Sequence, residues 1–374
     1  MQPALVRLTA CVALLACLLS CAPGPHNPDK HYKAFRPPNE VVDIVFDPPL
    51  HLLPNPPRGV ILFIVDGVNA DIFQEMLTAG ELPNIQHYFV DRGLYIPKAT
   101  TVTPSVTYPC LTSLMTGQTP GEHGVLGITW FDRNQLIWRD YATIAQKNTL
   151  DGDYTATTLF EQFPDRSTYS VSLQPHRGAT KFYENAMSNA SAYAFSMWDQ
   201  MDRTTLSRMD EVSQLAKQRR AWPALTVFYL MSPDFNAYNH GLDSQQYRDS
   251  LIHTDTQLGV TLKMIEDAGL LEDLIIGLTS DHGMVPVNQH FALEDFLRDD
   301  LGLDVAPQKL WEKTTFETRL KTYRKYNAVL NCSGNRYAAI QLRAPSRVVE
   351  GEQQFESWPI RPSSDNLRNY PTGE

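Results

Sequence analysis

Residues 274–283 read LIIGLTSDHG, an apolar run that ends in Asp281, His282 and Gly283. A short apolar run of this kind predicts a buried β-strand. Open α/β sheets bind their ligands beyond the carboxyl ends of the strands, where Asp281 and His282 would lie. A carboxylate and an imidazole side by side are ligands that Zn²⁺ accepts. The stretch therefore predicts an α/β sheet with a metal-binding edge.

Two earlier runs have the same form. Residues 59–67 read GVILFIVDG and end in Asp66 and Gly67, and residues 225–234 read LTVFYLMSPD and end in Asp234. Helical periodicity between these runs predicts helices over residues 70–79, 84–91 and 244–268, and a further helix that begins near Tyr108. Strands that alternate with helices predict a mostly parallel, doubly wound sheet.

Composition limits the class of protein. The chain has 374 residues, of which 43% are hydrophobic, so it can form one large α/β domain with insertions. The net charge of −10 and the lack of a long basic run argue against a nucleic-acid scaffold. Residues 130–222 are less regular in pattern, and we interpret them as an insertion that forms one wall of the site.

The N-terminal residues predict export. Arg7 precedes an apolar segment, Leu8 to Leu19, that is too short to span a bilayer, so residues 1–20 read as a signal peptide. The run Leu18-Leu19-Ser20-Cys21 resembles the lipobox of bacterial lipoproteins, which predicts a lipidated Cys21 and a protein anchored to a bacterial membrane on its periplasmic side or at the cell surface. An ordinary secretory signal with an incidental Cys21 is the alternative. The Pro-rich residues 21–57 then form a tether to a catalytic domain over 58–374.

Thr107 is a candidate nucleophile. Residues 106–117 read VTYPCLTSLMTG, in which Pro109 marks the first turn of a helix. The hydroxyl of Thr107 would then lie at a helix N-terminus, where backbone N–H groups and the helix dipole favour an anion. A nearby divalent cation would lower the pKa of this hydroxyl and make it nucleophilic. The alternative is that Thr107 only caps the helix.

The order of these motifs along the chain resembles the alkaline phosphatase superfamily, and within it the nucleotide pyrophosphatase/phosphodiesterase branch. The resemblance runs from about Arg58 to Arg343 and includes residues 116–124, TGQTPGEHG. It implies an alkaline phosphatase-like three-layer αβα sandwich and a metal-dependent phosphoesterase. It further implies two Zn²⁺ ions, a small phosphate-ester substrate, and phosphodiester or pyrophosphate hydrolysis through a phospho- or nucleotidyl-threonine at Thr107.

The resemblance also implies the metal ligands. One metal would be held by Asp66, Asp281, His282 and the Thr107 oxygen, and this set is complete. Asp234 matches the first ligand of the second metal, whose next ligand in the family is a His four residues later. This chain has Tyr238 at that position, and the nearest imidazole belongs to His240, which we favour as the ligand.

Two departures from the family pattern support a second reading. The family's last ligand is a His far downstream, but no His follows His290, which suggests a chain incomplete at its C-terminal end. Ile128 stands where the branch has an Asn that binds a phosphate oxygen. The alternative function is therefore a lipid-anchored pseudoenzyme or binding protein whose second metal site has decayed.

Other enzymes of the same fold remain open. A phosphomonoesterase or a phosphoethanolamine transferase would use the same metal-binding residues on a different substrate. A sulfatase is disfavoured, because the residues after Cys110 lack the Pro and Arg that its formylglycine site requires.

Overall fold

The computed structural model describes residues 58–143, 149–184, 196–219, 222–308, 314–333 and 337–371. The predicted signal peptide, Cys21 and the tether over 21–57 lie outside these residues. The described residues form two compact units. The first unit comprises those among residues up to 103, 110–124 and 151–286. The second unit comprises those among residues 104–109, 125–150 and 287–374. No helix among the described residues is both long enough and apolar enough to cross a membrane.

The strands, in chain order, are β1 Gly59–Val65, β2 Thr129–Asp132, β3 Ile137–Asp140, β4 Thr168–Val171, β5 Lys181–Tyr183, β6 Leu225–Leu230, β7 Leu274–Ser280, β8 Val305–Ala306, β9 Ala328–Ser333, β10 Tyr337–Leu342, β11 Pro345–Val349 and β12 Glu352–Phe355. The α-helices are α1 Ala70–Thr78, α2 Pro83–Ile85, α3 Thr107–Thr116, α4 Pro120–His123, α5 Leu150–Asp153, α6 Trp198–Leu206, α7 Arg208–Arg219, α8 Ser232–His240, α9 Gln245–Asp267, α10 Leu293–Asp295, α11 Phe316–Tyr323 and α12 Ser364–Arg368. The three long strands and the helices predicted over 70–79, over 244–268 and near Tyr108 are thereby confirmed. Two details differ, because β7 is half-buried rather than buried and the helix predicted over 84–91 is the short α2 followed by a π-helix, Gln86–Val90.

The first unit contains a five-stranded sheet in the order β5-β4-β6-β1-β7, and every neighbouring pair is parallel. Val65 at the end of β1 is in register with Leu230 of β6 and with Ser280 of β7. The carboxyl ends of these three strands therefore meet at one edge. Asp66 and Asp281, which directly follow β1 and β7, are delivered to that edge.

Helices cover both faces of this sheet. On one face, Phe63 and Val65 of β1 pack in a core with Met76 of α1 and Leu258 of α9. On the other face, Ile64 packs with Leu111 and Met115 of α3, Phe160 and Leu173. The alternation of β1 residues between two apolar clusters is the pattern of a strand buried on both sides. The three-layer α/β class predicted from the sequence is confirmed.

Part of the segment that we interpreted as an insertion belongs to this sheet. Strands β4 and β5 lie within residues 130–222, and all four residues of β4, TYSV, are buried. Hydroxyl side chains in β4 are accommodated by local hydrogen bonds, as when Ser170 Oγ donates to Leu173 O at 3.1 Å. Because β4 is polar and short, its sequence lacks the apolar run that identified β1, β6 and β7.

The second unit has small antiparallel and mixed sheets. It contains the three-stranded sheet β10-β9-β8 and the hairpins β2-β3 and β11-β12. Aromatic residues form its core, where Phe131 contacts Trp138, Tyr323 and Trp358 at centroid distances of 5.0–5.5 Å. Arg133 binds this core at its edge, because Nε donates to Trp358 O at 2.7 Å.

Candidate metal centre

Three side chains of the first unit come together at the carboxyl edge of the sheet. Asp66, Asp234 and His282 each offer one ligand atom, and these atoms lie within 4.8 Å of one another. Asp66 follows β1, Asp234 lies in the first turn of α8 directly after β6, and His282 follows β7. Three sequence-distant elements thus place two carboxylates and an imidazole where one divalent cation can contact all of them.

The imidazole of His282 faces two carboxylates. Its Nε2 lies 3.4 Å from Asp66 Oδ1 and 3.6 Å from Asp281 Oδ2, and the ring is buried. Its Nδ1 lies 3.1 Å from Gly283 O. A carbonyl oxygen only accepts hydrogen bonds, so we assign the proton of the neutral ring to Nδ1. The Nε2 lone pair then points at the carboxylates, which is the tautomer that a metal ligand needs.

Asp281 is a buried carboxyl whose environment favours a cation. Its Oδ1 accepts hydrogen bonds from His282 N at 2.8 Å and Gly67 N at 3.4 Å, while Oδ2 is buried and accepts none from the described residues. Burial raises the pKa of Asp281 well above its ordinary value, and the charges of Asp66 and Asp234 raise it further. Three carboxylates in a buried site repel one another unless a cation or protons compensate them. These donors fit a divalent metal ion.

Gly67 gives Asp234 room to approach the end of β1. Its φ of 70° lies in the left-handed region that favours glycine. A Cβ at this position would lie 2.6 Å from Asp234 Oδ1 and 2.9 Å from Asp234 Cα. Two independent reasons, the backbone conformation and the close approach of Asp234, therefore require glycine after Asp66.

We expect Gly67→Ala to weaken metal binding as well as stability. Gly80→Ala is the matched control, because Gly80 has a φ of 76° and nothing within 4 Å of the position of its added Cβ. Both variants carry the strain of a left-handed alanine, about 1–2 kcal/mol, but only Gly67→Ala displaces Asp234. Thermal unfolding and Zn²⁺ titration of both variants test this. Equal metal affinity in the two would contradict the assignment.

Tyr229 orients Asp66 and was not identified from the sequence. It lies on β6, is 5% exposed, and its phenol donates a hydrogen bond to Asp66 Oδ2. Burial raises the pKa of Tyr229 well above its ordinary value, and the charge of Asp66 adds to that rise, so the phenol remains a donor. The only sequence signal is a tyrosine one residue before the end of an otherwise apolar strand.

Tyr247 fixes the loop that follows Asp66. This α9 residue is fully buried, and its hydroxyl donates to Gly67 O at 3.2 Å and accepts from Asn69 N at 2.8 Å. Burial raises the pKa of Tyr247 to about 12. The loop between β1 and α1 is thus held by a side chain 180 residues further along the chain. Hydrogen bonds of this kind limit the movement of the loop and therefore of Asp66, which precedes Gly67.

The remaining predicted residues lie as follows. Thr107 is half-buried and is the first residue of α3. His240 is exposed at the last position of α8 and is not part of the three-residue group. An α-helix has about 3.6 residues per turn, so Tyr238, four residues after Asp234, lies on the same side of α8 as Asp234. His240, six residues after Asp234, lies on a different side. Tyr238 is 45% exposed. Helix α8 continues through Tyr238 to His240 without a break.

Comparison with known proteins gives the family. The profile of the family described as type I phosphodiesterase / nucleotide pyrophosphatase matches residues 60–356, which include every residue of the metal centre. The chain belongs to this family. Membership agrees with the resemblance to the alkaline phosphatase superfamily that the motifs indicated.

Curated relatives are distant. The chain is 22% identical over 249 residues to the ectonucleotide pyrophosphatase/phosphodiesterase family member 7 of Rattus norvegicus, a match that covers 62% of this chain and 51% of that protein. It is 19% identical over 310 residues to the bis(5'-adenosyl)-triphosphatase of Pongo abelii, covering 78% of this chain and 62% of that protein. The chain therefore spans about half to three-fifths of the length of these relatives.

Solved structures show the same fold. Murine ectonucleotide pyrophosphatase/phosphodiesterase 5 superposes with a TM-score of 0.54 at 18% identity, over 76% of this chain and 66% of that one. An inactive threonine-to-alanine variant of the same murine protein, in complex with AMP, gives a TM-score of 0.53 at 17% identity, with the same coverage of both chains.

Proposed function

We propose that this protein is a metal-dependent phosphoesterase that hydrolyses phosphodiester or pyrophosphate bonds in small-molecule substrates. The observation that carries the proposal is the convergence of Asp66, Asp234 and His282 at the carboxyl edge of the sheet. Membership of the type I phosphodiesterase / nucleotide pyrophosphatase family supports the reaction class. The names of the relatives favour nucleotides and related pyrophosphates as the substrate class.

Metal ions, two Zn²⁺ in this proposal, would supply Lewis-acid stabilisation of the negative charge on the phosphoryl oxygens. Asp66, Asp281, His282 and the Thr107 oxygen are the proposed ligands of one ion. Asp234 and His240 are the proposed ligands of the other ion, and for His240 to reach it the last turn of α8 must unwind, because His240 is exposed on a different side of the helix from Asp234. The buried oxygen of Asp281 and the Nε2 of His282 are the atoms whose present surroundings most favour a bound cation.

Thr107 is the proposed nucleophile. Its Oγ would attack phosphorus while the ester or pyrophosphate oxygen leaves, and water would then cleave the phospho- or nucleotidyl-threonine. Thr107 begins α3, where the helix dipole favours the anionic form of its oxygen. Thr101 connects α3 to the backbone of Asp281. Its Oγ1 lies 3.3 Å from Sγ of Cys110, one turn after Thr107 on α3, and donates a hydrogen bond to Asp281 O at 2.7 Å. A threonine-to-alanine variant of the murine relative is described as inactive, and loss of a nucleophilic threonine from this chain would have the same consequence.

The N-terminal segment adds a location to the proposal. Arg7, the apolar segment after it and Cys21 support an exported protein held by a lipid on a bacterial membrane, on the periplasmic side or at the cell surface. The Pro-rich tether would then separate the lipid from the catalytic residues.

Hydrolysis of bis(nitrophenyl) phosphate and nitrophenyl phosphate, with and without a chelator, tests the function. We expect turnover of the diester that chelation removes and added Zn²⁺ restores. Faster turnover of the monoester would favour the phosphomonoesterase alternative. Hydrolysis that persists after complete metal removal would contradict the proposal.

The second candidate is a binding protein that retains one metal. The exposure of His240 and its absence from the three-residue group favour this reading. Counting bound zinc in the purified protein separates the candidates. An active two-metal enzyme should hold two ions per chain, whereas a protein with a decayed second site should hold at most one and hydrolyse neither ester.

A further inference from the structure

Helix α8, which carries Asp234, begins without a capping side chain of its own. The N-cap residue is Met231, whose side chain makes no capping hydrogen bond. Two other helices of the first unit have a capping side chain of their own, which is Asn69 for α1 and Ser244 for α9. The first N–H groups of a helix need acceptors, and losing an N-cap typically destabilises a helix by a measurable amount.

The missing cap is supplied by α6. Asp202 of α6 is 1% exposed, and its Oδ1 and Oδ2 accept hydrogen bonds from Met231 N at 2.8 Å and Ser232 N at 3.0 Å. Asp199, one turn earlier on α6, accepts a hydrogen bond from the hydroxyl of Ser232. Both carboxylates therefore meet the positive end of α8, where an anion is favourable.

A ring contact holds the same two helices together. Trp198 of α6 stacks on Phe235 of α8 with ring centroids 4.3 Å apart and planes 12° apart. Phe235 is the residue after Asp234. The polar cap and the aromatic stack thus lie on either side of Asp234 in sequence, so both restrict how far its carboxylate can move.

The charged form of Asp202 is destabilised by burial and stabilised by its hydrogen bonds to α8. Burial raises the pKa of Asp202 to about 7, and the two N–H groups of α8 oppose that rise. No basic side chain is among the groups that shift the pKa of Asp202, so the two N–H groups are what stabilise the charged form of this buried carboxyl. The geometry of the contact is nevertheless directional, because each carboxylate oxygen accepts one N–H of α8.

We propose that Asp202 is a positioning residue of the metal centre: by capping α8 it holds Asp234 within ligand distance of Asp66 and His282. The proposal rests on the proposed function, since it assumes that the three-residue group binds a metal. Side chains that hold metal ligands in place typically change metal affinity by about 10–100-fold when they are removed. We expect a loss of about 10-fold for Asp202→Ala, because it acts through the helix.

Thr205→Val is the matched control. Thr205 also lies on α6, is fully buried, and its hydroxyl is 2.9 Å from Ser172 Oγ, outside the contact with α8. The substitution loosens the attachment of α6 and leaves the cap intact. Asp202→Asn is the variant to use if Asp202→Ala does not fold, because the amide keeps one acceptor oxygen and nearly the same volume.

The experiment is a Zn²⁺ titration of the metal-free full chain against a competing chromophoric chelator, together with thermal unfolding. We expect Asp202→Ala to bind Zn²⁺ about 10-fold more weakly than the wild type, Asp202→Asn to lie between them, and Thr205→Val to keep the wild-type affinity despite a lower Tm. In the Asp234→Ala background, Asp202→Ala should cause no further loss, because its effect passes through Asp234.

Three results would count against the proposal, and they are distinguishable. If the wild type binds Zn²⁺ and both Asp202 variants bind it equally well, Asp202 is only structural and the proposed function stands. If the wild type itself binds no Zn²⁺, the proposed function fails and the positioning role fails with it. An additive loss in the Asp202→Ala, Asp234→Ala double variant would also count against a role through Asp234.

Discussion

Thr107→Ala should reduce diester hydrolysis by at least about 10³-fold while leaving the fold intact, since removal of a covalent nucleophile commonly costs this much or more. The methyl group of alanine can neither attack phosphorus nor hold the developing charge. Thr107→Ser keeps the oxygen and should retain turnover within about 10-fold. Steady-state kinetics of both variants, with metal content measured alongside, is the test.

A control at the other end of the same helix makes this result specific. The hydroxyl of Thr116 donates to Thr112 O at 2.7 Å, a hydrogen bond within α3. Thr116→Ala should therefore change stability slightly and turnover little. Acid quenching during turnover should trap a phosphorus adduct on the peptide that contains Thr107 in the wild type. Wild-type rates in Thr107→Ala would show that another group is the nucleophile.

Asp281→Asn should have opposite effects on metal affinity and on the stability of the metal-free protein. The substitution removes a negatively charged ligand, so we expect Zn²⁺ affinity to fall by more than about 10²-fold, the upper range for a supporting residue alone. Above the native pKa of Asp281 it also removes a buried charge that Asp66 and Asp234 repel, so at such a pH the metal-free variant should unfold at a higher Tm than the metal-free wild type.

The sign of the pH dependence follows from the raised pKa of Asp281. Because this pKa lies above the unfolded value of 3.8, the native metal-free protein holds the proton more tightly than the unfolded chain. The contribution to stability is thus fully present below the unfolded pKa and is lost as the pH rises through the native pKa. Metal binding needs the ionised carboxyl, so Zn²⁺ affinity should increase over the same range.

Tm measured against pH, with chelator and with excess Zn²⁺, tests both statements. For the wild type, the difference between the two curves should widen as the pH rises, and for Asp281→Asn it should stay small. Asp255→Asn is the control, because Asp255 is 1% exposed and accepts hydrogen bonds from Asn84 and Ile85 away from the metal centre. It should lower Tm without changing metal affinity. A Zn²⁺ response in Asp281→Asn equal to that of the wild type would refute the ligand role.

The parts predicted from sequence share one physical property, which is that their signal is local. Strands β1 and β6 are apolar runs because they lie at the centre of the sheet, whereas β7 is an edge strand of this sheet and is half-buried although it is also apolar. An apolar run is visible in a few consecutive residues. Asp66 and Asp281 follow β1 and β7 directly, so the strand ends located them. The glycine after Asp66 was likewise visible as a strand-end motif.

The parts that were missed depend on pairs far apart in the chain. Tyr229 and Asp66 are 163 residues apart, and Asp202 reaches helix α8 from a segment that we had interpreted as an insertion. Strand β4 was missed because its polar residues are buried through hydrogen bonds, which composition does not reveal. For His240, closeness in sequence to Asp234 was the basis of the prediction, and the continuous helix α8 showed that the two residues lie on different sides of that helix.

The sequence by itself determined the parallel α/β class and the strand ends at which charged residues lie. Hydrophobic periodicity and the order of the strands along the chain can both be recognised from consecutive residues. Only the tertiary structure decided which of those residues share a site and what holds them there. Parallel pairing brings Asp66, Asp234 and His282 within 4.8 Å of one another, and Tyr229 and Asp202 come from other elements to orient them. Such contacts are set by how helices pack on the sheet, and packing is a property of the whole fold.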